Sequence, residues 1–257
     1  MSNLLIRVYV FVAVALILIL LEFFFAYRRR NLSRFSRWPS NIALVAIDNF
    51  LVKLLLPAGL MSIAIWANTN NVGIFNFFKF NYLVSAVLTF VVFDFTIYFQ
   101  HVYSHKWNFL WIFHKVHHTD PDLDVTSALR FHPVEILYSL GYKIVIVLLV
   151  GANPFSILVF EVVLNSMAMF NHANLYIPPK FEKVLRFVFV TPQMHIIHHS
   201  IEKNESDTNF GFNFSIWDYM FKTYRIKFSS AGIIGQRDHE NSKDQQILTL
   251  ILQPFQK

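Results

Sequence analysis

The chain has 257 residues, 55% hydrophobic and 17% aromatic but only 15% charged, a balance outside that of ordinary soluble domains and expected of a membrane protein. Its cysteine count is zero, which excludes disulfides, thiolate-bound zinc, iron–sulfur clusters and thiolate-ligated haem; any metal must be held by His, Asp or Glu. The formal charge of +6 comes from basic residues placed beside apolar runs, which suits anionic lipid and argues against a nucleic-acid partner.

The first apolar run, "LLIRVYVFVAVALILILLEFFFAY" from Leu4 to Tyr27, is long enough for a helix to cross ~30 Å of hydrocarbon. It is too long for a signal-peptide core and no small-residue cleavage site follows, so it is expected in the mature protein. "RRRNLSRFSRW" comes next, with Arg28, Arg29, Arg30, Arg34 and Arg37 in a connection that the positive-inside rule places in the cytoplasm. A second run, Ile42 to Ala67, carries Pro57 and returns the chain outward, where "NTNNVGIFNFFKFN" turns it. The third run, Tyr82 to about Gln100, comes back in. The fourth and fifth, Pro133 to Val150 and Phe155 to Phe170, are joined by "GANP" and read as a helical hairpin, because Gly, Asn and Pro stop one helix and start the next.

Two charges interrupt this hairpin. Lys143 and Glu161 lie equally far from its turn, roughly 13 Å at the helical rise per residue, so they are expected to face each other as a buried pair. The alternatives are that Lys143 snorkels to an interface or pairs with Asp94 while Glu161 is protonated or bonds another helix. The polar tail after Ser200 is too short for a second domain, so residues 1–257 are expected to form one domain.

Counted from the Arg-rich loop, ten of the eleven histidines fall on the cytoplasmic side. They occur as "HVYSH" (His101, His105), "HKVHH" (His114, His117, His118), "FHPVE" (His132), "FNHAN" (His172) and "HIIHH" (His195, His198, His199). His101 and His105 share a helix face, and each HxxHH turn points rings in two directions, so two such turns can serve a pair of ions. His132 is read either as a core hydrogen-bonding residue at a helix start or as a further ligand, and His239 as a solvated tail residue. Imidazole suits Zn, Cu, Fe and Ni alike, so the ligands alone leave the metal open. A zinc hydrolase of the HExxH kind is disfavoured because Lys115, Val116, Ile196 and Ile197 occupy the inner positions of the two motifs. Asp120, Asp122, Asp124, Glu135 and Asp218 are candidates to orient the rings, or else caps and turn residues; Asn209 and Trp217 are candidates to pack the tail onto the cluster. The expected fold is all-α: an integral membrane helical bundle of about four to five membrane helices with a cytoplasmic histidine-rich di-metal cap.

"HVYSH", "HKVHH", "RFHPVE", "MFNHAN", "TPQMHIIHHS" and "NFGFNFSIWDYMFKTYR" together resemble the fatty acid hydroxylase superfamily, also called the sterol desaturase family, of integral-membrane non-haem di-iron oxygenases. The resemblance covers about Asp94 to Arg225. It implies a catalytic ligand set of His101, His105, His114, His117, His118, His195, His198 and His199, with His172 as the additional family histidine and His132 in an element whose metal role is less secure. It further implies two iron ions, replaceable by zinc in a purified sample, and use of O₂ and two external electrons to hydroxylate or desaturate a lipid or sterol. With no NAD, flavin or haem motif, the electrons are expected from a separate ferredoxin- or cytochrome-type donor. The other class of function open to the sequence is a non-catalytic metal- or lipid-binding membrane protein that keeps the histidine scaffold. The chain departs from the family at "MFKTY", where Lys222 stands in place of a usual glycine. The tail "QPFQK" has no dilysine signal, which favours a bacterial inner membrane over the endoplasmic reticulum.

Overall fold

The computed structural model describes residues 3–256, and its architecture is helical, with backbone pairing among the described residues limited to three isolated bridges. Five helical segments are long and apolar enough to cross a membrane. α1 (Asn3–Phe24) is the uninterrupted first run. α2 (Arg34–Leu55) starts earlier than its apolar stretch does, because Ser33 caps it by accepting from the Phe35 amide at 3.2 Å. Arg34 and Arg37 therefore belong to a helix and not to the preceding loop.

The second run is not one continuous helix. It breaks at Pro57, which has no amide proton to give, and at Gly59, whose φ of 74° favours a residue without Cβ. The chain restarts as α3 (Leu60–Thr69), followed by one turn of α4 (Ile74–Phe77). α3 completes the crossing and reaches the "GANP" turn, where Asn68 Nδ2 donates to Ala152 O at 2.9 Å. Gly73 lies so close to that turn that a Cβ would sit 2.1 Å from the Gly151 nitrogen.

α5 (Tyr82–Lys106) continues past Gln100, so His101 and His105 ride on its last turns. A bend at Trp107 leads into α6 (Asn108–His118), and a short 3₁₀ turn follows at Val125–Leu129. α7 (Pro133–Val150) and α8 (Pro154–His172) form the hairpin expected from "GANP": Gly151 ends one helix in the left-handed region, and Asn153 Oδ1 caps the next from Ser156 N. Leu60, Phe93, Ile97, Val147, Ile157 and Phe160 pack between α3, α5, α7 and α8. Small residues, Ala64 and Ala152, let these helices approach, as association in lipid requires. Five short helices, α9 (Pro179–Leu185), α10 (Pro192–His198), α11 (Lys203–Ser206), α12 (Ile216–Met220) and α13 (Ile247–Leu252), follow, with α10 packed on α8 and α13 on α2.

The expected Lys143–Glu161 pair is corrected. Glu161 makes its salt bridge with Arg7 of α1 at 2.5 Å, while Lys143 stays close enough to interact with the Glu161 charge without a direct bond, and Asp94, the other partner considered for Lys143, accepts from Trp217 Nε1 at 2.7 Å. The hairpin seen alone brings only two charges to one depth, whereas α1 packs on α8 and brings a third.

Candidate metal centre

α5 and α6 end, α8 ends and α10 lies at the same end of the bundle, and nine histidines converge there. They form two groups: His101, His105, His114, His118 and His198 in one, and His117, His172, His195 and His199 in the other, with the ligand atoms of each group within 4.8 Å of one another. All nine side chains are buried. The groups share a wall, since the His118 and His199 rings stack at 4.3 Å.

Backbone carbonyls fix which nitrogen faces inward. A carbonyl oxygen only accepts, so a ring nitrogen bonded to one must carry the proton. Nδ1 of His101 donates to Phe210 O at 2.8 Å, Nδ1 of His117 to Arg130 O at 3.2 Å, Nδ1 of His172 to Ala168 O at 2.7 Å, and Nδ1 of His198 to Thr208 O at 2.8 Å. His114 Nδ1 bonds the Glu135 carboxylate at 2.7 Å. In the neutral form of each of these rings Nε2 is left as a lone pair aimed at the cluster. The Nε2 atoms of His101, His114 and His198 have no hydrogen-bond partner although they are buried.

His117 and His172 show what this arrangement needs. Both rings spend their proton on a carbonyl, yet their Nε2 atoms face each other at 3.0 Å. Two lone pairs at that separation repel unless a cation lies against both. His172 to His195 and His195 to His199 repeat the approach at 3.1 and 3.2 Å, as does His105 to His118 at 3.1 Å. Burial, then the neighbouring imidazoles, hold His117, His118, His195 and His199 well below the usual histidine range, and burial brings His198 down to about 3. The rings are thus neutral at physiological pH, the form that ligates metals. The donor set fits a pair of borderline cations in a dry, all-nitrogen site.

His132 does not join them. Its Nδ1 accepts from Val134 N at 3.2 Å, capping α7, and its Nε2 approaches Ile251 O at 3.2 Å, so both nitrogens are engaged away from the cluster. It is a helix cap bonded to the tail, one of the two readings open at the sequence level. His239 also lies outside both groups.

Among the acids expected around the rings, only Glu135 hydrogen-bonds one. Asp218 acts one layer out: it accepts from the amides of Phe210 and Gly211 at 2.8 and 2.9 Å and so fixes the carbonyl that orients His101. Asp120 and Asp124 clamp the fully buried guanidinium of Arg37, at 2.8 and 2.5 Å, while Asp122 accepts from the amides of Asn31 and Leu32. Asp120 also lies 3.6 Å from Arg130, the residue whose carbonyl holds His117. Asn209, at φ 54°, ties the tail to α10 by donating to Met194 O at 2.9 Å. Lys222 has φ 59°, the conformation that explains a glycine preference at this turn.

Sequence reasoning missed four contributors. Arg37 read only as a cation of the Arg-rich connection and Arg130 had no reading of its own, and the compensating acids in "DPDLD" were their only signal. Gln245 and Gln253, in a tail that reads as polar, are buried against Arg130 at 2.5 Å and Thr119 at 2.7 Å. Glutamines carry no charge pattern that would have marked them.

The family model for fatty acid hydroxylase matches residues 86–223, more than half of the chain. Among curated proteins, the chain is 30% identical over 155 residues to ornithine lipid hydroxylase OlsE of Rhizobium tropici, covering 59% of this chain and 46% of that protein. It is 29% identical to alkylglycerol monooxygenase of Xenopus tropicalis, covering 53% and 30%, and 28% identical to human cholesterol 25-hydroxylase, covering 52% and 49%. The matched region spans less than half the length of each of these relatives. No solved structure matches the chain significantly. The matched region includes all nine clustered histidines, and the chain belongs to the fatty acid hydroxylase family.

Proposed function

We propose that this protein is a membrane-bound lipid hydroxylase in which two metal ions, iron in the working enzyme, serve the oxidation of an unactivated C–H bond. The observation that carries this reading is the pair of facing lone pairs at His117 and His172, in one of two buried histidine groups whose ligand atoms lie within 4.8 Å of one another. His101, His105, His114, His118 and His198 would hold one ion, and His117, His172, His195 and His199 the other. Iron bound there would supply O₂ activation, with two electrons and two protons consumed as one oxygen atom enters the C–H bond and the other leaves as water.

The chain's own residues perform the remaining tasks. The carbonyls of Phe210, Arg130, Ala168 and Thr208, together with Glu135, fix ring orientation, which sets ligand geometry before any ion arrives. Phe131 stacks on His117 at 4.5 Å and Phe210 lies edge-on to His105 at 5.2 Å, walls that keep water from the rings. The relatives named for hydroxylation and monooxygenation favour hydroxylation over desaturation, and their lipid and sterol substrates support a lipid or sterol here. Electrons come from a separate ferredoxin- or cytochrome-type donor at the histidine end. That end also carries Arg28, Arg29 and Arg30, so it is assigned to the cytoplasmic face, in a bacterial inner membrane by kinship with the Rhizobium protein.

Comparative lipid mass spectrometry of cells with and without the protein tests the reading. The expected result is a lipid heavier by one oxygen that depends on O₂ and on His199. Loss of two hydrogens would mean desaturation. Metal that is bound but never coupled to O₂ use, with a competent reductant present, would favour the non-catalytic alternative.

A further inference from the structure

The segment around α9 is built inside out. Glu182 and Arg186, one helical turn apart, face the protein and pair at 2.5 Å. Thr191 Oγ1 donates to Glu182 at 2.6 Å, and Arg186 Nη1 donates to Ile226 O at 3.1 Å. The apolar residues face outward: Phe181, Val184 and Phe187 are 68%, 71% and 74% exposed. A helix in water shows the opposite order, and a contiguous apolar patch of this kind marks contact with something other than solvent.

Backbone pairing fixes the depth of this surface. Val190 N donates to Asn213 O and Ser215 N to Val188 O, both at 3.1 Å, and Phe189 stacks on Phe214 at 5.8 Å. Phe214 in turn lies 6.1 Å from Phe90 of α5. Phe90 precedes His101 on one continuous helix by about three turns, which places it roughly 16 Å below the histidines. α12 packs on the same helix through Trp217, 5.0 Å from Phe95, and leaves Ile216 and Met220 49% and 60% exposed. The outward faces of the two short helices thus continue the exposed flank of a membrane-length helix. Lys180 and Lys183, both exposed, border the apolar patch, where ammonium groups complement anionic headgroups.

We propose that Pro179–Phe189 and Ile216–Phe221 form a wedge embedded in the leaflet on the histidine side, its aromatic and aliphatic residues among acyl chains and Lys180 and Lys183 at anionic headgroups. Part of the histidine cap then lies within the bilayer instead of above it.

The cysteine-free chain allows a direct test by single-site labelling. Val184→Cys and Phe187→Cys, with Tyr9→Cys on α1 and Lys243→Cys on the tail as references, are labelled with nitrobenzoxadiazole in nanodiscs of phosphatidylcholine and phosphatidylglycerol. Labels at 184 and 187 should emit to the blue, as at 9, and be quenched by acyl-chain nitroxide lipids more than by iodide; the label at 243 should behave oppositely. In the Lys180→Gln, Lys183→Gln background, the blue shift at 184 should shrink toward its value in pure phosphatidylcholine discs. Iodide access at 184 and 187 equal to that at 243 would overturn the proposal. So would labels that become shielded only when a soluble protein fraction is added, since that outcome identifies a protein-docking face.

Discussion

A buried imidazole whose Nδ1 is committed to a carbonyl has one lone pair left, and its direction is set by the backbone. This makes the histidines unequal to their neighbours in consequence. His118→Ala or His199→Ala removes a ring from the shared wall of the two groups, so each should abolish turnover and lower bound metal while the protein still inserts in membranes. His239→Ala should change neither, as measured by metal analysis and product formation. Glu135→Gln keeps the shape beside His114 but weakens its hold on Nδ1, and the expected loss of metal affinity is roughly 10- to 100-fold, read by chelator competition. Arg37→Met leaves Asp124 buried without its ion-pair partner and Asp120 with only the more distant Arg130, and should cost on the order of 3 to 5 kcal/mol in thermal or denaturant unfolding. Arg37→Lys should rescue little, because one ammonium cannot reproduce a fork that reaches both carboxylates.

At the scale of elements, long periodic runs were legible and their interruptions were not. The hairpin boundaries follow from "GANP" and His101 and His105 from their spacing, since turn chemistry and helix geometry are local. Pro57 was visible, yet whether it bends a helix or ends it depends on Gly59 adopting positive φ two residues later. Lys143 and Glu161 do lie near each other across the hairpin, but the direct salt bridge goes to Arg7, which arrives from a helix distant in sequence. Arg7→Met should therefore destabilise the protein, and the Arg7→Met, Glu161→Gln double variant should be less destabilised than the sum of the single changes. The short helix α11 offers a pH test. Burial pushes Glu205 up, but hydrogen bonds from Ser200, Ser230 and Ser229 outweigh it and hold the carboxyl down at about 2. With the folded value below the ordinary 4.5, its stabilisation is complete above 4.5 and is lost as pH falls toward 2. Glu205→Gln should flatten the stability–pH profile in that window, measured by unfolding from pH 6 downward.

For the molecule as a whole, sidedness was the most informative thing the sequence held. Crossings counted from the Arg-rich loop put ten histidines at one end, and the structure brings nine of them into two groups there, beside that same loop. The division into five and four was not legible. His117 and His118 are adjacent yet serve different groups, and only the tertiary placement of their helix between the histidine-bearing ends of α5, α8 and α10 decides this. Nor was the exclusion of His132, because a cap and a ligand look alike until the tail carbonyl of Ile251 is in place. The most direct measurement of the central claim is an experimental structure of protein produced in iron-supplied cells, with anomalous scattering recorded at the iron edge. The expected result is two ions about 3.5 to 6 Å apart, one ringed by His101, His105, His114, His118 and His198 and the other by His117, His172, His195 and His199. A single ion, two ions far apart, or His132 in place of a clustered histidine would contradict it.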